Sequence, residues 1–340
     1  MRRTAVILVA LACVLAGCSS KKKTPAAASK STTSSSSSPS TTVAPGISPL
    51  TGLAGTPATL DRPALIVKID NAPKARPQAG INKADIVVEE MVEGGITRLA
   101  SVFQSTDSPV EPVRSARSTD IAFASALHKP LFAYSGANPT FLALVHSAPL
   151  IDVGVDKQPS AYHRDGSRPM PYNLVSSTTA LYGTAADSGS KPPPALFTYG
   201  TPTGGTPVKG IDLVFADIVT THITYGWDGQ GWKRVQNGTP HVDAAGVQVA
   251  PTNVVVQFTE YHDTGIRDRS NSPVPEGTLV GSGDAWFFTG GMLFKGHWSK
   301  TSAGSVATYT DASGNPMVLN PGRTWIELTP ANGKGSANPT

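Results

Sequence analysis

The sequence predicts an α/β or α+β amino-terminal domain on a mixed sheet, followed by a mostly antiparallel β-rich carboxy-terminal domain. Three observations carry this expectation. Short β-branched runs alternate with capped helical stretches in the first half, a Pro- and Gly-rich break follows at 188–210, and strand patterning is nearly continuous beyond it. The boundaries are read as 1–17 for an export signal, 18–46 for a tether, and 47–200 and 210–335 for the two domains.

The first elements are not part of the fold. Arg2 and Arg3 precede "AVILVALACVLAG", an apolar run too short for an ordinary membrane span. It ends in "LAGC", a small-residue cleavage site directly before Cys18. The pattern resembles a bacterial lipobox, in which the cysteine thiol receives a diacylglyceryl group and becomes the new amino terminus. Two acyl chains give a stable anchor where one gives only reversible binding. Lys21, Lys22 and Lys23 would then lie at anionic headgroups. The plainer reading is a secretory signal with an incidental cysteine. Residues 19–46, dominated by Ser, Thr, Ala and Pro, cannot bury enough to offset ordering entropy and read as a flexible tether reaching about 30 Å.

Charge and cysteine counts narrow the function. Of 28 Lys and Arg, six precede residue 47, and none of the 24 Asp and Glu do, so the remainder carries a net −2. A nucleic-acid-binding domain is expected to be basic, and this one is not. The two cysteines are Cys13 and Cys18, so the mature body has no disulfide and no thiol nucleophile.

In the first domain, "ALIVKI" (64–69), "DIVVEEMV" (85–92) and "TRLASVFQ" (97–104) read as strands, the last two joined through Gly94-Gly95. Ser118 or Thr119 caps a helix to about His128, and "PLFAYSG" is a further strand. Asn138-Pro139 reads as N-cap and first residue of a helix to about His146, and a last helix begins near Ser177. In the second domain "DGQG" marks a hairpin between "IDLVFADIVTTHITYGW" and "GWKRVQ". "NVVVQF", "TLVGSGDAWFFTGG", "MLFKGHW", "VATYT" and "TWIEL" continue as strands.

Several of these stretches occur together in one known family. "SPLTGL", "RPALIVKIDNAPKARPQAGINKADIVVEEMVEGGITRLASVFQS", "PVRSAR" and "RDGSRPMPYN" resemble the amino-terminal domain of the YerB-like lipoproteins. "NVVVQF", "LVGSGDAWFFTGG", "GHWSK" and "LNPGRTWIEL" resemble that family's carboxy-terminal domain, in the same order. The resemblance implies a bacterial envelope lipoprotein whose two domains have no assigned function. Glu111 stands where the pattern has glycine, and Tyr172 where it has histidine before Asn173.

The candidate chemistry centres on Arg114 and Arg117 in "PVRSAR". Planar guanidinium groups three residues apart could clamp a carboxylate or phosphate bidentately. They could equally lock strands to loops through Glu89 and Glu93. Arg98, Arg164 and Asp165 are expected to support the site, together with Asn173, while Glu89 and Glu93 orient it. On an extended strand Glu89 and Glu93 would share one face and Glu90 the other. Weak catalytic candidates are Glu89 and His163, the latter an acid or base in a charged loop or simply a solvated side chain. No metal motif, phosphate cradle or GxSxG occurs, and no metal or cofactor is expected.

The expected protein is a lipid-anchored lipoprotein on the extracytoplasmic face of the cell membrane. It would bind an anionic envelope ligand and act as an accessory in cell-wall assembly or its regulation. Alternatives are a hydrolase or transferase acting on peptidoglycan or another wall polymer, or a scaffold offering a sheet edge to a cell-wall synthase.

Overall fold

A continuous apolar run bounded by turn residues wants to be a strand buried on both faces, and "LIVKID" becomes one. A computed structural model describes residues 46–185, 189–268 and 270–340, so the export signal, Cys18 and nearly all of the tether lie outside the described residues. In the first segment the strands that enter the main sheet are β1 (Leu65–Asp70), β2 (Ile86–Met91), β3 (Thr97–Phe103), β4 (Leu131–Ala133) and β5 (Ile151–Asp152). Every residue of β1, β2 and β3 is buried. Besides a single turn at Pro57–Leu60, the helices are α1 (Thr119–Ala124), α2 (Pro139–Ser147) and α3 (Thr178–Gly183).

Two helix starts follow from local capping. Asn138 accepts from the Thr140 amide with Pro139 as first helical residue, and Ser177 accepts from the Ala180 amide. The helix expected to reach His128 ends at Ala124 instead. His128 and Lys129 take left-handed φ values of 57° and 65°, which turn the chain into β4. With helices of six, nine and six residues, the first segment is a mixed sheet with short helices, and the α/β layering expected from its alternation does not develop.

The second segment supplies β6 (Gly210–Ala216), β7 (Thr220–Trp227), β8 (Trp232–Gln236), β9 (Asn253–Thr259), β10 (Tyr261–Arg267), β11 (Pro273–Gly277), β12 (Gly281–Thr289), β13 (Met292–Lys300), β14 (Thr324–Pro330) and β15 (Gly335–Pro339). Most pairings here are antiparallel, and "DGQG" does join β7 to β8. Strands of both segments enter one large sheet, running β13-β12-β9-β14-β2-β3-β1-β4-β5, in which β14 is parallel to both neighbours. A smaller antiparallel sheet contains β8-β7-β6-β15. Its apolar side chains, among them Phe215, Ile223 and Trp232, belong to the same buried core as Val255 and Ile326.

Register decides which charges meet. Asp70 lies opposite Arg98, and Arg98 opposite Glu90, across β1, β3 and β2. Directly opposed residues share a face, so these three and Lys68, two residues before Asp70, project from one side of the sheet. There the Lys68 ammonium donates to Glu90 at 2.5 Å and to Asp120 of α1 at 2.6 Å. Glu89 and Glu327, paired in register between β2 and β14, point to the other side. Arg234 of β8 donates to Glu89 at 2.6 Å with both side chains fully buried, and Tyr225 donates to Glu327 at 2.5 Å. The expectation that Glu89 and Glu93 share a face is therefore corrected. The strand stops at Met91, and Glu93 sits in a single 3-10 turn through Gly94, whose φ is +72°.

Glu327 generates a testable pH dependence. Burial, then the adjacent Glu89 charge, raises its carboxyl well above the ordinary value. The folded protein thus holds a proton there that the unfolded chain releases above about pH 4.3, so this group's contribution to stability falls as pH rises toward the folded value. Glu327→Gln keeps a polar group at the position and removes the titration. Urea unfolding between about pH 5 and about pH 8 should show the variant gaining on the wild-type protein as pH rises. A constant difference across that range would contradict the buried, protonated carboxyl.

Candidate functional site

The stretch "PVRSAR" is laid along the end of β1. Arg114 donates its amide to the Lys68 carbonyl and accepts from the Ser135 amide, while the Ala116 amide reaches Gly136. These bonds fix two arginines above the charged face of the sheet, beside the loop that enters α2.

The two arginines are not equivalent. Arg117 Nη2 donates to Glu93 at 2.7 Å and its Nη1 to the Ala116 carbonyl at 2.9 Å, and its side chain is only 11% exposed. Arg114 is 28% exposed and gives only Nε to Asp70, at 2.7 Å. Among the described residues its Nη1 and Nη2 have no hydrogen-bond partner. Arg98 lies buried behind them, donating to the Ser115 carbonyl at 3.4 Å, and its Nε is unpartnered.

The electrostatics follow from three guanidinium groups sharing two carboxylates. Burial alone would raise the Asp70 carboxyl, but the charge of Arg98, the Ala72 amide and Arg114 hold it below the ordinary value. Glu93 is likewise pushed up by burial and brought down further by Arg117 and Arg98. Burial and the neighbouring Arg117 depress Arg98 to about 10, against the pull of Asp70 and Glu93. Counted by themselves, these three cations and two carboxylates leave one positive charge in excess, with the adjoining Lys68, Glu90 and Asp120 adding one cation and two carboxylates.

That excess borders a cleft of about 930 Å³. Its walls include Glu93, Arg114 and Arg117, the 135–139 loop with Phe141 and Leu142 of α2, Arg164, and Arg267 and Asp268 at the tip of the β10–β11 hairpin. The volume lies within the range of small-molecule sites. Arg164 is exposed and donates Nη1 to the buried Asn173 at 2.8 Å, so Asn173 orients an arginine.

Residues 50–191 match the family described as "Protein of unknown function (DUF3048) N-terminal domain", and residues 211–326 match its C-terminal domain. The chain belongs to the DUF3048 family. It is similar to "Putative lipoprotein YerB" of Bacillus subtilis (strain 168), 29% identical over 297 residues covering 83% of this chain and 86% of that one. The crystal structure of the YerB protein from Bacillus subtilis superposes with a TM-score of 0.74 at 26% identity. That match covers 86% of this chain and 99% of the other. The YerB-like resemblance read from the motifs therefore holds.

Within this DUF3048 fold the candidate residues divide. Arg114, Arg117, Arg164 and Glu93 come together at the cleft, with Arg98 beneath and Asn173 beside it. Glu89 does not join them. It is enclosed by Arg234, Thr97 and Asn71 on the opposite face, where no substrate could reach it. His163 is exposed on the strand His163–Arg164 and is not a wall of the cleft, since the side chain beside it, Arg164, is the one that lines it. Asp165 accepts from the amide and hydroxyl of Ser167, which lowers its carboxyl and commits it to its own turn. Glu111, the departure from the family pattern, meets Arg168 at 3.4 Å. Asp70, Asp156 and Arg267 escaped the sequence reading. Asp70 carried a signal, since it closes a buried strand immediately before a proline-broken loop; the others are ordinary loop and hairpin residues.

Stability separates the two arginines. Arg117→Ala would strand Glu93 in a largely buried site and is expected to cost about 3–5 kcal/mol. Arg114→Ala leaves Asp70 still facing Arg98 and should cost clearly less, about 1–2 kcal/mol. Chemical denaturation of both variants checks the order, and equal losses would contradict the unequal commitment of the two groups.

Proposed function

We propose that the protein is a lipid-anchored extracytoplasmic lipoprotein whose cleft binds an anionic envelope ligand in support of cell-wall assembly or its regulation. The observation that carries the reading is Arg114, which lines the cleft and is tied to Asp70 through one nitrogen, its two terminal nitrogens without a partner among the described residues. Such a guanidinium is pre-organised for bidentate contact with a carboxylate or phosphate. Arg164, oriented by Asn173, adds a second cation on the same wall. Arg98 beneath the cleft and Arg117 in its wall supply positive potential, their unpartnered Nε atoms being buried.

The anchor reading rests on the lipobox-like "LAGC" ending at Cys18 and on the lipoprotein name of the Bacillus subtilis relative. Among the described residues no helix is long and apolar enough to cross a membrane. Two acyl chains on Cys18 would give a stable attachment. A binding role is favoured over hydrolysis or transfer because Glu89 is sealed from solvent by Arg234 and His163 lies outside the cleft wall.

Two experiments test the reading. Cys18→Ala should move the protein from the detergent phase to the aqueous phase in a detergent partition, and continued retention in the detergent phase would refute the lipid anchor. For the cleft, full-length protein is titrated with purified soluble peptidoglycan fragments by calorimetry, and the mixture is then analysed by mass spectrometry. Wild-type protein should bind without producing new species. Arg114→Ala, with an unchanged circular dichroism spectrum, should weaken binding by about tenfold or more. Undiminished binding by that variant would overturn the assignment, and new products would establish turnover in place of binding.

A further inference from the structure

We infer that the ligand of this cleft is zwitterionic, a short peptide or amino-acid conjugate presenting a free amine as well as a carboxylate, with the amine seated on Asp156. The inference rests on the reading of the cleft as an anion site and adds the opposite charge to it.

The cleft is not uniformly basic. Asp156 lines it, is exposed, and among the described residues makes no hydrogen bond or ion pair. Asp268 also lines it, and only its Oδ1 is engaged, by the Ser270 and Ser272 amides at 2.8 Å each. Arg114, Arg164 and Arg267, each engaged through one nitrogen, therefore share one concave surface with these two carboxylates. Among the described residues no cation lies within ion-pair distance of the Asp156 carboxylate.

This mixture discriminates between ligand classes. A polyphosphate or a phosphodiester polymer would bring like charge against Asp156 and Asp268, and such juxtaposition disfavours a partner. A ligand bearing both signs satisfies both walls. The volume of about 930 Å³ exceeds what one small anion fills, and Phe141, Leu142 and Val274 provide apolar contact for the connecting atoms.

The test uses the tripeptide Ala-Ala-Glu and its N-acetylated form, which differ in the amine, titrated calorimetrically into the full-length protein. The free-amine peptide should bind about fivefold or more tightly than the acetylated one. Asp156→Asn, which removes no internal bond among the described residues, should erase that preference, with the acetylated peptide, relieved of like charge there, binding no more weakly than to the wild-type protein. Equal affinities in the wild-type protein, both lost in Arg114→Ala, would overturn the zwitterion inference and leave the anion site standing. A preference surviving Asp156→Asn would overturn the assignment of the amine to that residue. Absence of binding by either peptide would count against the inference and the anion site together.

Discussion

Asp70 stands between Arg98 and Arg114 at the end of a buried strand, and the surroundings of the cleft depend on that single carboxylate. It holds Arg114 by Nε alone, which fixes the plane of the guanidinium while leaving its far edge uncommitted. It also offsets the charge of Arg98, a guanidinium buried so deeply that its protonation is weakened. With Asp70 supplying one negative charge and Glu93 another, three arginines can be packed side by side with only partial neutralisation. A fully paired cluster would be architecture, and this one has a remainder.

The remainder faces outward because the sheet separates its charges by side. On one face Lys68, Glu90 and Asp120 form a closed group at 2.5 and 2.6 Å, next to the arginine cluster. On the other, Arg234 is caught among Glu89, Tyr225, Gln236 and His241, a network with no opening to solvent. Burial and the Arg234 charge keep His241 neutral there. Both groups join elements distant in sequence, and buried polar networks of this kind favour one arrangement of layers over others. The rigid floor they make is what allows a loop such as "PVRSAR" to hold a side chain at a fixed angle.

Much of the local structure was legible in the sequence. The buried runs of β1 to β3, the Asn138-Pro139 and Ser177 helix starts and the "DGQG" hairpin all follow from composition and spacing within a few residues. What was not legible is long-range. Arg234 meets Glu89 across 145 residues of chain, and β14 enters the sheet beside β2 from the far end of the sequence. Alternation along "DIVVEEMVE" cannot say which face receives the cation, nor that Gly94 releases Glu93 from the strand's periodicity. The cleft itself needs Arg267 and Asp268 from a hairpin whose residues carry no chemical signature in sequence. Interleaving of the two segments in one sheet is likewise a property of pairing rather than of pattern.

The central claim is that, among the described residues, Arg114 keeps both Nη groups unpartnered on the cleft wall, whereas the unpartnered Nε atoms of Arg98 and Arg117 are buried. Side-chain nitrogen NMR of arginine-labelled full-length protein, titrated with soluble peptidoglycan fragments, addresses it directly. The account predicts that the Arg114 Nη signals shift and sharpen on saturation while those of Arg117 and Arg98 stay in place. Movement of Arg117 with Arg114 unaffected, or no response from any of the three, would contradict it.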